Sequence, residues 1–271
     1  MDNYFTDIIK KYENFNESER LIINRSKKVE FINSIYYIEE LINKENLNIL
    51  DCSAGSGIYS LYLAKNFNCN VTATDIVEKY IKEIEINKEK ENLKGTLTTS
   101  IKNAIDLSYF ESETFDIVLC MGAYYHLIDD NRRKRCLNEC KRVLKNGGYL
   151  VITYLPINFI LEYFSLNMDE KLDFDAINSI MKNQYIQHTD YYCQFTDIRY
   201  DKTNELEKNI RELSMKIEKH IGIDGDSIHH KSELESMNED DYIKYCELIR
   251  KIYAEQNSIG MSNHAMIIAR K

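Results

Sequence analysis

Asn48-Ile49-Leu50-Asp51-Cys52-Ser53-Ala54-Gly55-Ser56-Gly57-Ile58-Tyr59-Ser60 passes from an apolar run through a carboxylate into a small-residue turn and then a helical pattern. That order predicts a strand, a ligand-cradling loop and a helix. Asp75 follows Gly57 by eighteen residues, at the end of a second apolar run, Val71-Thr72-Ala73-Thr74. A carboxylate there can hydrogen-bond both hydroxyls of a ribose. Two acids bracketing a glycine loop point to a nucleoside cofactor.

Gly55, Gly57 and Ser60 also approximate the G-x-G-x-x-G/A pattern, whose backbone N–H groups hold a dinucleotide pyrophosphate. Asp51 argues against that ligand. A carboxylate at the end of the first strand repels a pyrophosphate but suits the ammonium group and sulfonium region of S-adenosylmethionine, directly or through water. The residues therefore favour S-adenosylmethionine over NAD.

Three downstream segments extend the pattern: Asn103-Ala104-Ile105-Asp106-Leu107, the run from Phe115 to Leu127 containing Met121-Gly122-Ala123-Tyr124-Tyr125-His126, and the run from Cys140 to Ile152 containing Asn146-Gly147-Gly148. Together with the first loop they resemble a class I S-adenosylmethionine-dependent methyltransferase. The Gly-x-x-Tyr-His-Leu end of the fourth strand and the closing Ser262-Asn263-His264 look like a bacterial small-molecule methyltransferase subfamily whose acceptors are mostly unassigned. Two positions depart from the family pattern. Ser53 stands where the first loop glycine is usual, and Asn103 stands where an acidic residue often meets the adenine amino group. Serine is small enough for the turn at negative φ, and an Asn oxygen still accepts from an amino group.

The resemblance implies an α/β fold with a doubly wound, mostly parallel seven-stranded sheet of the Rossmann-like methyltransferase type. Alternating apolar runs support it: strands near 47–51, 70–75, 95–101, 115–121 and 148–154, with helices between them. A helix at 130–145 buries Cys136, Leu137, Cys140, Val143 and Leu144 and is stopped by Asn146-Gly147-Gly148. Residues 1–45 are expected to form a helical cover, with helices at 2–14 and 17–43, and 46–155 the cofactor-binding core. Residues 156–202 break the alternation with Phe159, Tyr163, Phe164, Phe174, Tyr185, Tyr191, Tyr192 and Phe195, and read as an inserted cap. Residues 203–271 complete the sheet with a helix at 204–213, a strand at 214–221, a helix at 239–256 and a strand at 264–270.

In a doubly wound sheet, ligands bind outside the carboxyl ends of the strands. Asp51, Ser53, Gly55 and Gly57 are therefore expected around the methionine portion, Asp75 and Ile76 at the ribose and adenine, Asn103 and Ala104 at the adenine edge, and Met121-Gly122 beside the sulfonium. Methyl transfer is an in-line displacement that needs no protein nucleophile, yet an acceptor that loses a proton needs a base. His126 is the best-placed imidazole, with Tyr125 to orient it or the acceptor; packing and capping are the alternative roles for both. Tyr154, Tyr191 and Tyr192 are candidates for an aromatic wall. Asp224, Asp226, His229 and His230 share a loop, but their spacing matches no defined metal site. Arg20 and Arg25 read as a solvated helix face.

The 271 residues, 44% of them hydrophobic, allow one large core with an elaboration. A net charge of −9 gives no general attraction to polyanions. The basic run Arg132-Arg133-Lys134-Arg135 with Lys141, Arg142 and Lys145 is the one argument for RNA, and it lies on a helix whose apolar face is already assigned to the sheet. Seven cysteines without a C-x-x-C pair offer no framework for disulfides or zinc, and no basic-then-apolar leader precedes the core, which implies a reduced cytoplasm. No apolar window approaches a membrane span. The expected function is methyl transfer from S-adenosylmethionine, leaving S-adenosylhomocysteine, to an O, N or S atom of a small-molecule acceptor by a monomer or homodimer. An RNA methyltransferase and a non-catalytic S-adenosylmethionine-binding regulator are the alternatives.

Overall fold

A computed structural model describes residues 3–162, 173–193 and 195–271. The strands are β1 (Asn48–Asp51), β2 (Asn70–Asp75), β3 (Thr96–Ile101), β4 (Phe115–Cys120), β5 (Leu144–Pro156), β6 (Tyr185–Ile186), β7 (Ile198–Asp201), β8 (Lys216–Gly222) and β9 (Ala265–Arg270). The spine runs β3-β2-β1-β4-β5-β9-β8 and is parallel from β3 to β5; β9 is antiparallel to both β5 and β8. These seven strands are the expected sheet. Two more extend it, because β5 outruns β9: its last residues, Leu155 and Pro156, pair with Tyr200 and Asp201 of β7, which carries β6.

Helices α1 (Asn3–Glu13), α2 (Glu17–Arg20), α3 (Arg25–Glu39), α4 (Ile58–Asn66), α5 (Glu78–Lys88), α6 (Asp130–Val143), α7 (Phe174–Asn183), α8 (Thr203–Glu212), α9 (Lys231–Ser236) and α10 (Glu239–Ile252) surround the sheet. Strand side chains alternate between its faces. Ile49, Ile117, Leu119, Val151 and Ile268 meet α3 and α4, whereas Leu50, Val118, Cys120, Ile152 and Ile267 meet α6, α8 and Phe5 and Ile8 of α1. Each fully buried Leu, Ile or Val contributes roughly 1.5–3 kcal/mol. The thiols of Cys52, Cys120 and Cys140 converge within 4.8 Å, buried on the α6 side, and Cys136 Sγ lies 3.8 Å from Cys120 Sγ. The linear spacing of these cysteines gives no hint of that convergence.

Element boundaries depart from the sequence reading at two instructive places. The helix expected at 17–43 breaks after Arg20 and restarts at Arg25, where the Asn24 side chain accepts from Lys27 N–H as an N-cap. The stop expected at Asn146-Gly147-Gly148 instead lies inside β5. The helix ends three residues earlier, at Val143, where Leu144 turns extended and pairs with Phe115. In the segment read as a cap, Tyr163 and Phe164 lie outside the described residues.

Gly57 begins α4 at φ +84°, and a Cβ there would sit 2.6 Å from Ile84 Cγ1. Left-handed backbone costs a non-glycine residue roughly 1–2 kcal/mol and overpacking another 1–3. Gly57→Ala is therefore expected to lower stability by about 3 kcal/mol in chemical denaturation; a loss under about 1 kcal/mol contradicts the packing.

Candidate active site

At the carboxyl ends of β1, β2 and β4 the chain encloses a cavity of about 780 Å³. Ser53, Gly55, Asp75, Ile76, Asn103, Ala104, Met121, Gly122, Tyr125 and His126 all line it, although they come from four separate segments. Asp51 and Gly57 stand behind the wall. Asp51 accepts from Ser60 Oγ at 2.8 Å, and burial pushes its carboxyl up to about 7, with Ser60 opposing and Asp75 adding to the shift. It is a partner of α4 rather than a surface of the cavity.

Asp75 ties the loop to the second strand. Its Oδ2 accepts from Gly55 N–H at 2.9 Å and its Oδ1 from Val77 N–H at 2.9 Å. Gly55 makes the first bond at φ +53°, in the left-handed region that glycine adopts without strain. Each carboxylate oxygen keeps a further lone pair. Asn103 Oδ1 accepts from Ile105 N–H at 3.1 Å, so the side chain caps its own turn while it lines the cavity. Ser53 Oγ is buried and has no hydrogen-bond partner among the described residues. An orphaned hydroxyl in a cavity wall, next to an acid-anchored glycine loop, fits a ligand with polar atoms at that point.

His126 is placed differently from the sequence expectation of a free base. Its Nδ1 lies 2.8 Å from the Asp197 carbonyl, which only accepts, so Nδ1 carries the proton. Nε2 then accepts from the Tyr12 hydroxyl at 2.6 Å, and the backbone carbonyl accepts from Tyr4 Oη at 2.6 Å. No lone pair is left for an acceptor's proton. Burial pushes the imidazole down to about 4, against the opposing effect of Asp197. A depressed histidine gives stability that is present above its unfolded value near 6.5 and is lost as pH falls through about 4. The ring is expected to remain neutral, protonated at Nδ1, from pH 5 to 8 in histidine ¹⁵N NMR; titration near 6.5 contradicts the arrangement. Beside it, burial holds the Tyr125 phenol well above its ordinary range, so that hydroxyl acts as a donor.

The other end of the cavity gathers residues that local reading misses. Arg20 donates to Glu17 Oε1 at 2.7 Å and to both oxygens of Glu30 at 3.0 and 3.3 Å. His264 Nδ1 stands 2.8 Å from Asp224 Oδ2 and 3.6 Å from Glu30 Oε2. Arg20 already supplies Glu30 with the positive charge that a cation would bring. The turn at 21–24 is what points Arg20 inward, so it is not the solvated residue expected from a continuous helix; Arg25 instead donates to Glu239 Oε2 at 2.8 Å. The loop grouping of Asp224, Asp226, His229 and His230 also comes apart: His229 pairs with Glu162, His230 with Asp226, and Asp224 turns to His264. A local signal for His264 does exist, in three short polar residues, Ser262-Asn263-His264, set just before an apolar strand.

The aromatic wall is made by other rings than those anticipated. Tyr154 is fully buried on His220 Nε2 at 2.8 Å, and Tyr191 is exposed and bonded to Asp173. Tyr12, Phe15 and Phe195 pack with centroids 4.9 Å apart on either side of Phe195, and Phe159 and Tyr200 join them along the cavity.

The basic stretch on α6 is largely engaged. Arg133, part of that basic run, is buried and donates to both oxygens of Asp201 at 2.6 and 2.7 Å. Arg142 pairs with Glu139, Lys145 with Asp116, and the Arg132 guanidinium lies 4.1 Å from the centre of the Tyr4 ring.

Residues 50–152 match the family described as a methyltransferase domain. That match spans β1 to β5, and the sheet order agrees with the Rossmann-like methyltransferase fold. It is 28% identical over 145 residues to the demethylmenaquinone methyltransferase of Leptospira interrogans, covering 53% of this chain and 55% of that protein. It is also 28% identical over 137 residues to the ubiquinone biosynthesis O-methyltransferase of Coxiella burnetii, covering 50% and 56%. The chain spans about half the length of the curated relatives it matches. A solved S-adenosylmethionine-dependent methyltransferase from Methanosarcina mazei superposes with a TM-score of 0.59 at 22% identity over 86% of this chain and 96% of that one, a likeness of fold.

Proposed function

We propose that this protein transfers a methyl group from S-adenosylmethionine to an oxygen, nitrogen or sulfur atom of a small molecule. The observation that carries this reading is the Gly55–Asp75 hydrogen bond at the mouth of β1 and β2, beside the partnerless Ser53 hydroxyl. In this reading Asp75 accepts from the ribose hydroxyls with its remaining lone pairs, Ile76 and Ala104 flank the adenine, and Asn103 meets its edge. Ser53 and Gly55 face the methionine portion, and Met121 and Gly122 stand beside the sulfonium. Asp51 acts through Ser60 and the start of α4.

The bound cofactor supplies an electrophilic methyl group on a positively charged sulfur. The protein's contribution is alignment and water exclusion, since a charge-neutralising displacement is favoured in a dry site. Phe15, Phe159, Phe195 and Tyr200 give the acceptor an apolar chamber, so the segment after β5 closes over the substrate side of the cavity. The cavity volume, near the upper part of the roughly 300–1,000 Å³ usual for ligand sites, leaves room for an acceptor beside the cofactor. A small-molecule acceptor also fits α6, where Arg133 and Arg142 are already paired with acids and so have less to offer a nucleic acid backbone. Among the described residues no helix is long and apolar enough to cross a membrane. The seven free cysteines suit a reducing compartment such as the cytoplasm.

The test is turnover of methyl-tritiated S-adenosylmethionine with panels of small phenols, amines and thiols. Tritium transfer to one panel supports the reading and assigns the atom. Tight cofactor binding with no transfer to any panel would favour a non-catalytic binder.

A further inference from the structure

His264 lies just before β9 and lines the cavity beside Tyr125, with ring centroids 6.2 Å apart. Its Nδ1 faces Asp224, whose side chain is itself tied down from several directions. Asp224 Oδ1 accepts from Ser262 Oγ at 3.0 Å and from His264 N–H at 2.7 Å, while Oδ2 accepts from Asn263 Nδ2 at 3.0 Å and His264 Nδ1 at 2.8 Å. Burial opposes the charge on Asp224, but the His264 imidazole and these donors outweigh it and hold the carboxyl below its usual range. An ionised carboxylate only accepts, so it fixes the proton on Nδ1 and directs the Nε2 lone pair away from itself. No partner for Nε2 is found among the described residues. His264 thus has the geometry His126 lacks: one nitrogen anchored, the other available on a ligand cavity.

The groups facing this ring are Asp224 from the loop after β8, Glu30 from α3, Arg20 from α2 and Tyr125 from the turn after β4. Burial and Arg20 work against the imidazolium; Glu30 and Asp224 work for it and prevail, so the ring is a stronger base than a free histidine. Phe15, Phe159, Phe195 and Tyr200 line the same cavity, and such rings suit a flat molecule with one polar edge.

We infer that His264, oriented by Asp224, takes the proton of a hydroxyl group on a small aromatic methyl acceptor. The inference rests on the methyl-transfer reading above. In the step it describes, a lone pair of the acceptor oxygen forms the bond to the methyl carbon. The bond from that carbon to sulfur breaks with its electron pair going to sulfur, which becomes a neutral thioether, and the hydroxyl proton moves to His264 Nε2. The imidazolium so formed faces the Asp224 carboxylate. His264 is the catalytic residue and Asp224 a positioning residue.

The experiment uses the full chain, histidine-labelled with ¹⁵N and saturated with S-adenosylhomocysteine, and 4-nitrophenol as the probe. The wild-type protein should bind the probe as its yellow phenolate, while His264 Nε2 shifts toward its imidazolium position. His264→Gln should keep calorimetric affinity for S-adenosylhomocysteine within about twofold and lose the phenolate band at least roughly tenfold. Asp224→Asn should lower the pH at which His264 titrates, a change that a purely structural role does not produce. A phenolate band undiminished in His264→Gln, or His264 signals indifferent to the probe, overturns the inference. Failure of the wild-type protein to bind S-adenosylhomocysteine is a separate result that overturns the methyl-transfer reading itself.

Discussion

Asp75→Ala is expected to weaken S-adenosylhomocysteine binding about 100-fold in calorimetric titration. A charge-assisted hydrogen bond contributes roughly 1.5–3 kcal/mol, so loss of two ribose contacts costs about 3 kcal/mol or more, and each 1.4 kcal/mol is tenfold in affinity. The same substitution frees the Gly55 and Val77 N–H groups, which loosens the loop and adds to the loss. Asp75→Asn, which keeps one acceptor oxygen, should lose less. The effect has a pH signature. Burial pushes the Asp75 carboxyl up to about 6, with the Val77 and Gly55 bonds opposing and Glu17 adding to the rise. A raised folded-state value means that the contribution of Asp75 to folding is fully present below its unfolded value near 3.9 and is lost as pH rises through about 6. Ligand binding runs the other way, because ribose hydroxyls need the ionised acceptor. Affinity should therefore decline as pH falls through about 6 and should become flat in pH for Asp75→Ala. An unchanged affinity in the alanine variant would remove Asp75 from the site.

The second large effect lies away from the cavity. Arg133 and Asp201 have side-chain exposures of 4% and 0%, and they join α6 to β7 through two short bonds. Asp201→Ala leaves a guanidinium buried without its counter-charge, a change that costs about 3–5 kcal/mol. The remaining contacts of Arg133, to the Tyr124 and Leu127 carbonyls and over the Tyr124 ring, do not neutralise it. The midpoint of chemical denaturation should fall accordingly. Replacing both partners together by apolar residues of similar volume should cost less than the single change, because no charge is then stranded. A loss under about 1 kcal/mol for Asp201→Ala would mean that water reaches the pair. Because β7 is the strand that ties the segment after β5 back to the sheet, loosening it should also make residues 185–201 more sensitive to proteolysis.

The parts of this molecule that could be read from sequence are those encoded by neighbours along the chain. Ile49 and Leu50, or Val118 and Leu119, alternate between faces because strand geometry forces them to, and the glycine loop after Asp51 marks the switch from strand to helix. The place of Asp75 beside the glycine loop was legible because both lie within one βαβ unit, and its carboxylate accepts from Gly55 N–H. What stayed hidden was pairing across the fold. The Arg133–Asp201 pair spans 68 positions and the His264–Asp224 pair 40, and nothing in the local pattern of either partner announces the other. The misplaced base follows from the same cause: His126 sits where a base would be expected along the chain, but Tyr12 and Asp197, from distant segments, occupy its two nitrogens. The break before α3 was legible in principle, since Asn24-Arg25-Ser26-Lys27 holds an N-cap, but the apolar Leu21 and Ile22 masked it by continuing the helical spacing.

The loop of Ser53 to Gly57 and the Asp75 carboxylate are expected to hold an adenosyl sulfur cofactor. Calorimetric titration of the wild-type protein with S-adenosylmethionine, S-adenosylhomocysteine and NAD in parallel tests it most directly. Micromolar binding of both adenosyl ligands and none of NAD is the expected result; binding of NAD alone, or of none of the three, would contradict it.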